Sequence, residues 1–530
     1  MEKTAAKDLV DRIKFQHENK ILSWEEEAQN KCCLLVDKKD LPEVCNYLNK
    51  KLDGRLFTMT GNDERDLNGN FALYYVFSFD QEHSFITIKT LIDPQDPTFP
   101  STANDLPATN WYEREVRDLL GLQPVGHPDP RPLIVHGDWP EDIYPLRKDF
   151  PVGQHVPRVE NRDSSIKYES EDVTIVPVGP IHAGIIEPGH FSFGTVGDTV
   201  LHLDAKLFFT HRGLEKVSEG MPFSKALFVA ERICGVCALS HSTAFAQAIE
   251  NAGEVQIPLR ARSLRTLFLE LERLYNHIGD VGNIGAGFGF SVVISAGSRL
   301  KEELQQLNER IAGHRYLRGV VTLGGTRVDL TQRDCTDIRM TLRRIKQELN
   351  ELADILLNHE IAVNRMATTG VLRLQVAEDL EVVGVAARAS GRNVDIRRDQ
   401  PYAAYDRVKF QVPIFKEGDV MSLIRILIQE VFQSFSIIEQ VLDQLTDGKI
   451  VVKIPEIKPY QISMGWCESP RGESVHWIMT GPNQTIYRYR VRSATYSNWP
   501  AVGSTVPGNI VPDFPLINKS FELCYSCCDR

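Results

Sequence analysis

Cys234-Gly-Val-Cys237 and Cys524-Tyr-Ser-Cys527 are two C-x-x-C pairs at opposite ends of one long stretch of chain. In such a pair two thiolates reach one metal ion. Two pairs supply four soft ligands, which suit Zn, Fe–S or Ni and not Mg or Ca. The separation is as informative as the pairs. A zinc ribbon carries its pairs roughly 15–20 residues apart on one small knuckle. Here Cys237 and Cys524 are 287 positions apart, so only the fold of a large domain joins them, and the centre they build is expected in a core. Two chemistries stay open: a closed zinc site with four cysteine ligands, or a redox-active nickel centre in which two thiolates bridge to a second metal.

Two other residues invite chemistry. His241 stands four positions after Cys237. On a helix both share one face, and His241 could donate a hydrogen bond to the Cys237 sulfur and tune it. Glu187 lies in GPIHAGIIEPGHF, where its neighbours Ile185, Ile186 and Pro188 are apolar. That context is compatible with a buried carboxylate of raised pKa; the residues alone favour the other reading, a loop glutamate in solvent. The remaining cysteines have plainer readings. Cys32 and Cys33 are adjacent and diverge on a strand. Cys45 falls on an apolar helical face, Cys335 and Cys467 are single, and Cys528, beside Cys527, is a lesser candidate ligand. None of these forms the close set of four that an Fe–S cluster needs. No Fe–S cluster is therefore expected in this chain, and electrons must leave through a partner.

The elements that position these residues fall into two regions. Residues 1–165 read as an α+β unit. Asp40 is placed to cap a helix with Leu41, Val44, Cys45 and Leu48 on one face. FALYYVFSF (71–79) and SFITIKTLI (84–92) read as strands, and DPQDPTFPSTANDLPA as a Pro-rich loop. His127 and His136 lack partners at ligand spacing and read as turn or surface residues. The polar segment 151–171 reads as a linker. Residues 166–530 are mainly helical. Leu264, Leu267, Phe268, Leu271, Leu274 and Ile278 form an apolar stripe with Gly279 as its C-cap. Ile338, Leu342, Ile345, Leu349, Leu352 and Leu356 form another, and 420–445, apolar on most faces, predicts a central helix. VHWIM and YRYRVR predict a hairpin displaying the loop that precedes them. No internal repeat is visible.

Composition narrows the classes. A net charge of −11 argues against nucleic acid as a partner. No apolar run approaches the ~20 residues of a spanning helix. The start, MEKTAAKDLVDRIKFQ, has no signal-peptide core, so the chain reads as cytoplasmic. Ten cysteines among 530 residues are no disulfide scaffold at this length and fit a reducing compartment and metal use.

At the cysteines the chain resembles a known family. Arg232-Ile-Cys234-Gly-Val-Cys237-Ala-Leu-Ser-His241 is similar to the first signature of [NiFe] hydrogenase large subunits, and CYSCCDR, Cys524 to Arg530, to their carboxy-terminal signature. The resemblance extends over nearly the whole chain, in the form of the group 4, complex I-related hydrogenases of formate hydrogenlyase type. It implies an α+β domain (1–165) fused to a mainly α-helical domain (166–530) like the hydrogenase large subunit and the complex I catalytic subunit. WYEREVRDLLGLQPVGHPDPRPLIVHGDWPEDIYPLRKDFP carries the first part, resembling the smaller hydrophilic complex I subunit.

The resemblance also implies a Ni–Fe centre with CO and cyanide on iron. Cys234 and Cys524 would be terminal ligands to Ni, and Cys237 and Cys527 would bridge the metals. Glu187 would pass protons, and His241 would sit beside the ligands. The loop Glu468-Ser-Pro470-Arg471-Gly-Glu473 would aim Arg471 at the open position. A guanidinium, rigid and effectively always protonated, would there polarise H2 through its field. The implied reaction is 2H+ + 2e− ⇌ H2, coupled to formate oxidation. The implied partners are an Fe–S small subunit, further ferredoxin-like Fe–S subunits, membrane subunits and a formate dehydrogenase, holding the chain at the cytoplasmic side of the cell membrane. One departure stands out: Glu522-Leu523 replaces the family's Asp-Pro, so the fixed φ of proline is lost next to Cys524. Two other readings compete. One is a complex I-like electron-transfer subunit, which shares HRGLEK, LERLYNHI and the Pro-Arg-Gly-Glu loop but lacks the cysteine quartet. The other is a structural zinc-bound scaffold.

Overall fold

The structure is a computed structural model that describes residues 5–28, 30–161, 172–182 and 186–530. The expected boundary at 165/166, most of the second half of the expected linker and Ile185 lie outside the described residues.

The chain begins with α1 (Ala5–His17), β1 (Ile21–Ala28), β2 (Lys31–Val36), α2 (Leu41–Lys50), β3 (Arg55–Glu64), β4 (Asn70–Phe79) and β5 (Ser84–Ile92). The strands form one sheet in the order β1-β2-β5-β4-β3, with β2 and β5 parallel and the other pairs antiparallel. The two sequence-read strands are β4 and β5, whose β-branched and aromatic side chains suit a covered sheet. On α2 the stripe Leu41, Val44, Cys45 and Leu48 is buried. Asp40 makes no side-chain cap to that helix. Instead Asp37 accepts from Lys39 N at 3.0 Å, because a short turn over Lys38–Asp40 precedes the helix and takes the cap.

After α3 (Asn110–Leu120), three strands, β6 (Thr174–Val178), β7 (His190–Val196) and β8 (Thr199–Lys206), form a small sheet. Then come α4 (Ala238–Ala252), α5 (Leu259–Asn283), α6 (Ser291–Ala312), α7 (Gln332–Asn358) and α8 (Val420–Asp443). The apolar stripe on α5 is buried, but Gly279 does not end the helix, which runs on to Asn283. A helical glycine costs only about 1 kcal/mol, and close packing offsets it. A Cβ on Gly297 of α6 would lie 2.4 Å from the Gly282 Cα of α5, so these two helices meet backbone to backbone. α8 is the expected central helix. Contrary to the sequence reading, it is long and apolar enough to cross a membrane, yet 72% of its apolar window is buried inside the protein.

The carboxy-terminal part adds an antiparallel sheet of β9 (Ile462–Ser469), β10 (Gly472–Gly481) and β11 (Thr485–Arg492), followed by α9 (Ala494–Thr505), α10 (Phe514–Phe521) and α11 (Tyr525–Asp529). The expected hairpin is β10–β11, but the Arg471 loop sits one connection earlier, as the turn between β9 and β10. Gly472 follows at φ 126°, a conformation that needs glycine. The period of two in YRYRVR turns Arg488, Arg490 and Arg492 to one face. There they bond the first sheet: Arg488 Nε to Asn62 Oδ1 at 2.9 Å, Arg490 Nε to Thr60 Oγ1 at 3.0 Å and Arg492 Nη2 to Phe57 O at 2.7 Å. The opposite face of β11 carries Tyr489 toward the cysteines.

Candidate metal centre

Both cysteine pairs sit where a loop meets a helix. Cys237 immediately precedes α4, and Cys524 immediately precedes α11. One turn of α5 fixes the first loop. Glu272 accepts from Leu239 N at 2.7 Å and Ser240 N at 3.0 Å, while Tyr275 Oη and Asn276 Nδ2 both donate to Val236 O at 2.8 Å. Residues at i, i+3 and i+4 share a helix face, so a single rigid element holds the loop, and Glu272 satisfies two of the orphan amides of α4. The second segment is held by Ser493 Oγ donating to Cys527 O at 2.8 Å, and by Asp529, whose carboxylate accepts from Phe208 N and Thr210 N, each at 2.9 Å. Arg530 reaches Glu115 on α3 at 3.1 Å and Glu215 at 3.2 Å. Arg212 ties the two segments together: its guanidinium donates to Arg232 O (2.9 Å), Ile233 O (2.7 Å) and Ser526 O (2.9 Å).

The result brings together all four expected cysteines. Cys234 Sγ lies 3.2 Å from Cys524 Sγ, and Cys237 Sγ lies 3.2 Å from Cys527 Sγ. Cys527 belongs to two overlapping groups, with Cys234 and Cys524 in one and Cys237 and His241 in the other, each within 4.8 Å. Cys234, Cys237 and Cys527 are buried, and Cys524 is half-buried at the rim. Four thiols this close do not all ionise without a cation. Hydrogen bonds from Cys234 and Cys527 draw Cys237 down to about 7, whereas Cys234 holds Cys524 up to about 11, and burial pushes Cys527 well above its ordinary value. A donor set of four such sulfurs fits a thiophilic metal centre. Cys32, Cys33, Cys45, Cys335, Cys467 and Cys528 lie outside both groups.

Three further expected residues surround the quartet, one of them placed differently from the sequence reading. His241 is fully buried on α4, but its Nε2 lies 3.2 Å from the Cys527 sulfur, and its hydrogen bond goes there and not to Cys237. The i, i+4 spacing brings the ring to the site; the approach of α11 decides which sulfur it meets. Glu187 is exposed, not buried. Its Oε2 accepts from Ser526 N at 2.7 Å and stands 4.0 Å from Cys524 Sγ. Partial desolvation of its carboxyl, and then the nearby Cys524, still raise its pKa. Arg471 is 8% exposed and its two Nη groups clasp Asp280. Burial opposes its charge, but Asp280 more than offsets this and keeps it protonated, and the field of Cys237 adds to the effect.

Sequence reasoning missed Arg212, Glu272, Asp280, His476 and Tyr489. Asp280 and Glu272 sit on α5, whose apolar stripe drew the eye; charged residues on a helix with so apolar a face were the available signal. His476 and Tyr489 lie inside strand patterns that carried no chemical spacing. Glu522 adds an acidic group beside Arg471 and Asp280. Burial and Asp280 push it up to about 7, and it adopts φ 47° with Asn283 Nδ2 donating to it at 2.5 Å.

Comparison with known proteins agrees with this geometry. Residues 212–280 match the nickel-dependent hydrogenase family. Residues 288–464 and 457–530 match the respiratory-chain NADH dehydrogenase 49 Kd subunit family, and residues 34–156 the corresponding 30 Kd subunit family. The chain is 37% identical to formate hydrogenlyase subunit 5 of Escherichia coli over 96% of its length and 90% of that protein. It is 36% identical to hydrogenase-4 component G of the same organism, over 98% of this chain and 92% of that protein. The carbon monoxide-induced hydrogenase of Rhodospirillum rubrum is 29% identical over 67% of this chain and 99% of that protein. With two hydrogenase-complex subunits alike along almost its whole length and the cysteine quartet assembled, the chain belongs to the family of complex I-related [NiFe] hydrogenase large subunits.

Proposed function

We propose that this chain is the catalytic subunit of a membrane-associated hydrogenase complex that reversibly reduces protons to H2, coupled to formate oxidation. The observation that carries the reading is the approach of Cys234 to Cys524 and of Cys237 to Cys527, 3.2 Å in each pair, from segments 290 positions apart. In this reading Cys234, Cys237, Cys524 and Cys527 would together hold the Ni–Fe group. When bound, the Ni–Fe group, with CO and cyanide on iron, supplies the two-electron chemistry of H2.

The chain's own residues do the rest. Arg471, held by Asp280 and too basic to give up its proton, sets a fixed positive field beside the ligands. Glu187 connects the rim to solvent: a proton leaving Cys524 Sγ has 4.0 Å to travel to Glu187 Oε2, and the exposed carboxyl passes it on. His241 holds its ring against Cys527 and keeps water from that sulfur.

The division into residues 1–165 and 166–530 belongs to the same reading. The first unit offers docking surface. A small Fe–S partner lies over the face that carries Cys524, further ferredoxin-like subunits and a formate dehydrogenase feed electrons, and membrane subunits hold the assembly at the cytoplasmic face. The likeness to components of hydrogenase complexes and to the two NADH dehydrogenase families supports assembly into such a complex. The test is H2 evolution. The metal-loaded chain with its partners should evolve H2 from both a low-potential dye and the native donor, and the chain alone from the dye only. Full turnover with the native donor and no partner contradicts the partner assignment; a metal-replete complex inert with both donors contradicts the catalytic one.

A further inference from the structure

A line of three side chains runs from the Cys527 sulfur into the protein. His241 Nε2 is 3.2 Å from Cys527 Sγ, His241 Nδ1 is 2.9 Å from His476 Nε2, and His476 Nδ1 is 2.8 Å from Tyr489 Oη. All three side chains are fully buried. Their placement follows from the sheet. Tyr489 of β11 pairs with Ile478 of β10, so it stands diagonally from His476 on the same face, within reach of an aromatic side chain. α4 packs over that face and brings His241 down onto His476.

Both rings are fully buried, and among the described residues they hydrogen-bond only to each other, to Cys527 and to Tyr489, with no carboxylate to balance a cation, so both are neutral and each carries one N–H. Two polarities then satisfy every ring nitrogen. In one, Tyr489 donates to His476 Nδ1, His476 Nε2–H donates to His241 Nδ1, and His241 Nε2–H donates to Cys527. In the other every bond reverses, and the Tyr489 hydroxyl becomes the acceptor. Among the described residues His476 Nδ1 is the hydrogen-bond partner of Tyr489 Oη. The reversed chain therefore leaves a buried hydroxyl hydrogen unmade, which is unfavourable. The other end agrees when a metal holds Cys527 as a thiolate, which only accepts.

We propose that His476 and Tyr489 are positioning residues that fix the proton of His241 on Nε2 and so aim one permanent hydrogen-bond donor at the Cys527 sulfur. Such a donor withdraws charge from the sulfur and tunes whatever metal that sulfur holds. This rests on the metal-centre reading for its consequence, but the proton's position is a property of the chain itself.

The test is ¹⁵N NMR of histidine-labelled protein in its complex, wild type against Tyr489→Phe, with nickel and iron counted separately. In wild type the His241 Nε2 resonance should be that of a protonated nitrogen and Nδ1 that of a bare one. In Tyr489→Phe the bias is gone and the two resonances should move toward each other. His476→Gln keeps an amide donor near the Nε2 position and should retain the wild-type pattern, whereas His476→Ala should lose it. In metal-replete samples, Tyr489→Phe should also lower the CO and cyanide stretching frequencies on iron, at unchanged metal content. An unaltered His241 pattern in Tyr489→Phe overturns the proposal. Absence of nickel and iron alone contradicts the metal-centre reading and leaves the NMR comparison decisive for the proton.

Discussion

Asp280 holds Arg471 by both of its Nη groups, across 191 positions of sequence, from a helix that also anchors the Cys237 loop through Glu272. The two side chains are each 8% exposed. The arginine's aim is thus set by α5, not by the turn that carries it.

Asp280→Asn should be costly. It leaves a buried guanidinium without its counter-charge, and breaking such a pair costs about 3–5 kcal/mol. The midpoint of thermal unfolding of the purified complex should fall. A midpoint equal to wild type would mean that Arg471 finds another partner.

Arg471→Lys keeps the charge and loses the planar fork that Asp280 clasps. H2 turnover should drop roughly 10²-fold, the scale of removing one preorganised electrostatic donor, with nickel and iron retained. Wild-type turnover in a metal-replete variant would remove Arg471 from the mechanism.

Glu187→Gln should block proton delivery while the centre still assembles. Exchange between D2 and solvent protons should slow by about 10²-fold, the lower end for a lost general acid–base group. In wild type the pKa of Glu187 is raised by desolvation and by Cys524 above the ordinary 4.5. Its protonated, donating form is therefore lost as pH rises through a value above that of a free carboxyl. Exchange limited by this donor should fall over the same range, and the inflection should vanish in the variant. Persistence of wild-type exchange would mean that protons take another route.

Gly297→Ala tests the frame without touching the centre. The new Cβ would stand 2.4 Å from Gly282 Cα, backbone against backbone, and overpacking of this kind costs about 1–3 kcal/mol. Chemical denaturation of the complex should report the loss; unchanged stability would show that α5 and α6 can part.

The residues that carry short-range pattern were legible. FALYYVFSF and SFITIKTLI are strands, the Leu41, Val44, Cys45, Leu48 face is buried, and 420–445 is a central helix, because alternation and helical periodicity record burial directly. The four cysteines were legible because two paired spacings name a ligand type. The sequence could not tell that His241 meets Cys527, since which sulfur lies opposite depends on α11, nearly three hundred positions away. Nor could it settle whether Glu187 is buried: apolar neighbours along the chain do not fix what lies across a loop. Gly279 looked like a helix end because its cost is local, while the offsetting contact of α5 with α6 is not. Asp280 and His476 had no local signature; each matters only through its partner, Arg471 in one case and His241 in the other.

The central claim is that Cys234, Cys237, Cys524 and Cys527 hold one Ni–Fe centre. Elemental analysis of the purified, assembled protein tests it most directly. The prediction is nickel and iron in equal amounts in wild type, and loss of both in Cys527→Ala, since Cys527 is the sulfur shared by both clusters of donors. One zinc per chain and no nickel would contradict it.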